Sequence, residues 1–119
     1  MTTDDAGAVT ATALDYFEGW FDGDAVRMER ALHPELCKRA IRPDGSVDVT
    51  TAREMIEATG QGAGKAQRPA DPAIQVRVDD VYADLANATV DSAVYREYLQ
   101  LVRTSDGWKI LNTLYCRTV

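Results

Sequence analysis

The apolar residues of this chain change period once. Up to about residue 59 they recur three or four positions apart, and from Ile74 onward they alternate with polar residues. The first spacing marks one face of a helix and the second one face of a half-buried strand. Helices followed by a run of strands give an α+β fold, with the helices packed on one face of a mainly antiparallel sheet. At 119 residues the chain is sized for one domain, residues 1–119. A chain of this size buries about two-thirds of its unfolded surface, so it needs no disulfide or metal to fold.

Three helices are predicted in the first half. Val9, Ala13, Phe17 and Trp20 share one face with Tyr16 beside them, which predicts a helix over 9–21 after a flexible leader, 1–8. Gly19 inside that helix costs about 1 kcal/mol relative to Ala unless something packs close to it. Asp24 is a natural cap for a second, short helix, which His33-Pro34 stops. Short strands at 36–42 and 47–50 flank the turn residues Pro43-Asp44-Gly45. Thr51 and Glu54 match a capping box opening a third helix. The Gly- and Pro-rich segment 60–73 reads as a loop. Its Gly60–Lys65 run lacks the spacing of a phosphate loop.

Four strands follow, at 74–78 with a bulge at Asp79-Asp80, at 88–95, at 98–103 and at 108–116. Asp106-Gly107 turns the last two into a hairpin. Placing Arg103 opposite Trp108 sets Leu101 opposite Ile110 and Leu99 opposite Asn112. One face then carries Leu99, Leu101, Trp108, Ile110 and Leu114, and the other Tyr98, Gln100, Val102, Leu111, Thr113 and Tyr115. Both faces are largely apolar. Helices cover only one, so the other predicts a homodimer through the sheet.

The net charge of −6 is confined to the first 24 residues, which hold Asp4, Asp5, Asp15, Glu18, Asp22 and Asp24 and no Lys or Arg. The acidic balance predicts that neither nucleic acid nor a membrane surface is a partner. The acidic start and the lack of a long apolar run predict a cytoplasmic protein. Cys37 and Cys116 read as small buried hydrophobes. With one His and no spaced carboxylate cluster, no metal site is expected, and no cofactor motif is present. Arg27, Arg30, Lys38, Arg39 and Arg42 form a basic cluster, expected to pair at the surface with the acidic first helix.

Two blocks carry a family resemblance. Tyr16-Phe17-Glu18-Gly19-Trp20-Phe21-Asp22-Gly23-Asp24, with Met28-Glu29-Arg30-Ala31-Leu32-His33-Pro34, resembles the opening of the putative lumazine-binding family. That family lies within the nuclear transport factor 2-like (SnoaL-like) superfamily. Tyr98-Leu99-Gln100-Leu101-Val102 and Asp106-Gly107-Trp108-Lys109-Ile110-Leu111-Asn112 resemble its closing hairpin. The resemblance spans about residues 9–115. It implies a cone of curved sheet around helices, a homodimer and an internal pocket, but no catalytic signature. In the family a His often stands where this chain has Gln100, and an aromatic-acidic pair where it has Tyr115-Cys116.

Such a pocket lies between the sheet and the first and third helices. Tyr16 and Trp20 can stack a flat ring there and offer an O–H and an N–H, or serve as core aromatics. Gln100 and Asn112 are the polar interruptions of the hairpin that can orient a ligand, or bond a neighbouring strand. His33 is tuned for proton transfer near neutral pH, or caps a helix end. Asp91 on its strand is a pocket acid or a salt-bridge partner. The favoured reading is a homodimeric module binding a small flat or hydrophobic molecule. One alternative is a cofactor-independent isomerase, dehydratase or hydrolase in which His33 or Asp91 moves the proton. The other is a module whose product is the dimer alone.

Overall fold

The structure, a computed structural model, describes residues 4–119. Helix α1 spans Asp5–Asp22 and α2 spans Ala25–Ala31. Strands β1 (Leu32–Ile41) and β2 (Val47–Thr51) form a hairpin, followed by α3 (Ala52–Gly60) and the single turn α4 (Ala63–Ala66). Strands β3 (Gln75–Tyr82), β4 (Leu85–Asp91), β5 (Tyr95–Thr104) and β6 (Gly107–Arg117) complete the chain. The strands form one sheet in the order β2-β1-β6-β5-β4-β3. All neighbours are antiparallel except β1 and β6. No described helix is long and apolar enough to cross a membrane.

Helix α1 is the axis of the core. Val9, Ala13, Tyr16, Phe17 and Phe21 are buried against Ala88 and Val90 of β4, Leu99 and Leu101 of β5, and Trp108 and Ile110 of β6. Each large side chain in this set contributes roughly 1.5–3 kcal/mol by leaving water. Gly19 marks a close approach, because a Cβ there would stand 3.2 Å from the Met28 backbone nitrogen of α2. Asp24 caps α2 by accepting from the Arg27 backbone N–H at 3.1 Å. The Thr51–Glu54 box is formed in both directions, at 2.9 and 3.2 Å.

Several sequence expectations are corrected. Helix α1 begins at Asp5, so residues 5–8 of the expected leader are helical. Arg103 of β5 ties that start down through the Asp5 carboxylate at 2.9 Å. Residues 1–3 of the leader lie outside the described residues. Strand β1 begins at Leu32, so His33 and Pro34 are strand residues rather than a helix end. A register shift against β6 between Leu32 and Cys37 accommodates the proline's missing N–H. The loop at 60–73 contains α4. The expected strand 88–95 breaks at Asp91, where the Ser92 hydroxyl accepts from the Val94 and Tyr95 N–H groups and turns the chain.

The correction with most consequence is in the last hairpin. Arg103 faces Trp108 and Leu101 faces Ile110, but Gln100 faces Asn112 and Leu99 faces Thr113. Leu111 is an extra residue on β6. A bulge of this kind moves every later side chain to the other face. Thr113 and Tyr115 therefore point toward the helices, while Leu114 and Cys116 are exposed. The second bulge, at Asp79, lies where the slip in alternation had placed one. Its carboxylate accepts from Arg77 and Thr89, each at 2.6 Å.

Candidate functional site

Two strands carry a charged residue in an otherwise apolar row. On β5 the inward row is Tyr95, Glu97, Leu99 and Leu101; on β1 it is Leu36, Lys38 and Ala40. All of these are buried, so strand parity drives Glu97 and Lys38 into the space beneath α1. Lys38 thereby leaves the expected surface cluster. Its former neighbours Arg27 and Arg30 do pair with α1, at 2.8–3.0 Å from Asp15 and Glu18.

Lys38 and Glu97 meet Tyr16 of α1. The Tyr16 hydroxyl donates to Glu97 Oε2 at 2.6 Å. Lys38 Nζ donates to the same carboxylate oxygen at 3.3 Å and to the Tyr16 hydroxyl. Exposure is 6 % for Lys38, 2 % for Tyr16 and 1 % for Glu97. Burial pushes the Lys38 amine below its ordinary value, and the Glu97 carboxylate offsets this only in part. Burial, reinforced by the adjacent Glu97 charge, holds the Tyr16 hydroxyl well above its ordinary value. The Lys38 ammonium also lies over the rings of Tyr115 and Tyr16, at 4.2 and 4.8 Å from their centroids.

These polar groups line one side of a cavity of about 150 Å³ between α1, α3 and the sheet. Phe17 and Met55 supply apolar wall, and Trp20, Tyr95 and Tyr115 stand where the cavity adjoins an outer groove. Tyr95 and Tyr115 meet edge to face at 5.5 Å. Trp20 Nε1 donates to the Tyr95 hydroxyl at 3.3 Å, and that hydroxyl donates to Gln67 beyond α4. Gly64 of α4 packs directly on Trp20. A Cβ there would fall 2.3 Å from the Trp20 carbonyl oxygen and 2.4 Å from its ring, so only glycine fits. A cavity of this size takes one aromatic ring or a few waters.

Of the residues singled out in the sequence, Tyr16 and Trp20 both line this cavity. Gln100 and Asn112 do not. They lie on the opposite face of the sheet, where Asn112 Nδ2 donates to Gln100 Oε1 at 3.2 Å. The bulge puts Asn112 there, because it shifts Asn112 out of the Leu99 row. His33 is far from acting as a cap: its Nδ1 accepts from the Glu35 backbone N–H at 3.0 Å, and it does not line the cavity. Asp91 pairs with Arg96 at 3.1 Å at the end of β4, also outside the cavity. The structure thus brings no two of His33, Asp91 and Asn112 together with Tyr16. Lys38, Glu97, Tyr95 and Tyr115 were not singled out as site residues. The signal for the first two was present, as a charge in each inward apolar row. Tyr115 was hidden by the bulge.

Comparison with known proteins agrees with this architecture. A family model described as putative lumazine-binding matches residues 4–116. A nuclear transport factor 2-like protein of unknown function from Shewanella baltica superposes with a TM-score of 0.79 at 13% identity, covering 100% of this chain and 98% of its own. A second such protein, from Silicibacter pomeroyi, gives 0.77 at 18% identity over 98% and 99%. A ketosteroid isomerase-like protein from Erwinia carotovora atroseptica gives 0.71 at 16% identity over 99% of both chains. At these identities the superpositions establish the fold. No curated protein matches the sequence. The chain belongs to the putative lumazine-binding family and has the nuclear transport factor 2-like cone fold.

Proposed function

We propose that this member of the putative lumazine-binding family binds a small flat heterocycle in the cavity under α1. The ligand presents a hydrogen-bond donor and an acceptor side by side, as a cyclic amide does. The observation that carries this is the buried Lys38–Glu97 pair in an aromatic-walled cavity. The two charges offset each other, so the site selects for a polar edge rather than for net charge. Glu97 accepts from the ligand N–H, Lys38 donates to its carbonyl, and Trp20, Tyr95 and Tyr115 flank the ring. A panel of cyclic amides and plain aromatics tests this by thermal shift and Trp20 fluorescence. A ligand at 100 times its dissociation constant adds about 2.7 kcal/mol of stability. If no flat compound moves either signal, the proposal fails.

The proton-transfer alternative built on His33 or Asp91 has no support, since neither side chain reaches the cavity. A pure dimerisation module accords poorly with a cavity that the side chains leave open and that Lys38 and Glu97 line. Homodimerisation itself remains part of the proposal. Its support is the uncovered sheet face, where Tyr98 and Leu114 are exposed beside Leu111 and Val102.

A further inference from the structure

We propose that Lys38 captures carbonyl compounds: a small aromatic aldehyde enters the cavity and condenses with Lys38 Nζ to form an imine. This rests on the reading that the cavity admits a flat ligand, and it adds a covalent activity to it. Three observations carry it. Lys38 is buried, yet it is among the residues that line the cavity. Glu97 and Tyr16 stand within hydrogen-bond reach of that amine, so a proton acceptor and a proton relay are in place. The surrounding rings suit a flat aldehyde, and the volume suits a single ring.

Ion pairing alone does not account for this arrangement. A buried ion pair is weak evidence for stability, because apolar residues of like volume often replace such pairs without loss. What the pair supplies is a reversible proton transfer. Moving the proton from Lys38 to Glu97 converts two buried charges into two neutral groups. The free amine that results is the nucleophile, and burial already favours it.

The step balances. Glu97 takes one proton from the Lys38 ammonium. The nitrogen lone pair forms the C–N bond, and the carbonyl π electrons pass to oxygen. Tyr16 relays a proton from the nitrogen to that oxygen, giving a neutral carbinolamine. Glu97 then returns its proton to the hydroxyl, the C–O bond breaks, and water leaves with that bond's electrons. The product is a protonated imine on Lys38 with Glu97 again ionised. Nothing is oxidised or reduced.

The test is reductive trapping. The full chain is incubated with benzaldehyde and borohydride, and the benzyl adduct is located by peptide mass mapping. The other lysines serve as internal controls: Lys65 is exposed, and Lys109 Nζ donates to the Arg30 carbonyl at the surface. Trapping at Lys38 is expected to exceed that at the exposed Lys65 severalfold at neutral pH, because the cavity walls hold the aldehyde against the Lys38 side chain. The pH profile of Lys38 trapping reflects the groups that face it, which are Glu97, Tyr16 and Tyr115. K38R keeps a cation and cannot form an imine, so its adduct at this site is lost. Benzamide, which offers the same ring with an amide and no aldehyde, is run in parallel by thermal shift. Adducts at Lys65, Lys109 or the N-terminus but none at Lys38 of the folded wild-type chain overturn the inference. If benzamide still stabilises the protein in that case, the binding proposal stands. If neither benzamide nor any cyclic amide of the panel has an effect, both fail.

Discussion

Lys38 and Glu97 each depend on the other to be tolerated where they are. Removing one partner leaves an uncompensated buried charge, so K38A or E97A is expected to cost about 3–5 kcal/mol in denaturant unfolding. The triple change Y16F/K38M/E97L removes all three groups, so neither charge is left without its partner. It is expected to be more stable than either single variant, and to lose ligand binding. Tyr16 adds a pH dependence of definite sign. Its native hydroxyl titrates above the ordinary value of 10.0, so the folded state holds that proton where the unfolded chain releases it. The stabilisation is complete below pH 10.0 and is lost as pH rises through the native value. Y16F is expected to lack this part of the alkaline loss, as followed by circular dichroism across pH 9–12 (about two units around the phenol's own range).

Contacts between elements set the shape of the cavity. Helix α4 is one turn long, and its place depends on Gly64 lying flat on Trp20. G64A is expected to push α4 away at a cost of about 1–3 kcal/mol, with a change in Trp20 emission that marks the site of damage. Helices α1 and α2 are clamped by Asp15, which accepts from Arg30 and Arg27. Burial alone would raise the Asp15 carboxyl, but the hydrogen bonds and charges of Arg30 and Arg27 outweigh it and hold it below its ordinary value. The clamp's stabilisation is therefore present above the unfolded value of 3.8 and lost as pH falls through the native one. An acid titration of D15N is expected to show a shallower loss than the wild type. Element boundaries also show why part of the site escaped the sequence. The capping box and the Asp24 cap are local hydrogen-bonding patterns and stood out as such. The bulge at Leu111 depends on what β5 offers across the sheet. Nothing in residues 108–116 alone announces it, and Tyr115 was assigned to the wrong face in consequence.

At the scale of the whole molecule the sheet has two unlike faces. One is filled by helices around a cavity. The other presents Tyr98, Leu114, Gln100 and Asn112 to the surroundings. If that face joins two copies, sedimentation at micromolar concentration gives twice the monomer mass, and L114D gives the monomer with its cavity intact. A wild-type monomer would remove the dimer from the proposal. The change of hydrophobic period determined, from sequence alone, that helices come first and strands after, and hence an α+β fold. That information is local, because a helix face and a strand face are each written in the spacing of neighbours. Tyr16 and Trp20 were legible for the same reason, being four apart on one helix. Only the tertiary structure decided their companions. Lys38 and Glu97 are far apart in the chain, and their meeting depends on a parallel crossover, a bulge and the parity of two strands. Those are properties of register, and register is settled by packing between distant segments.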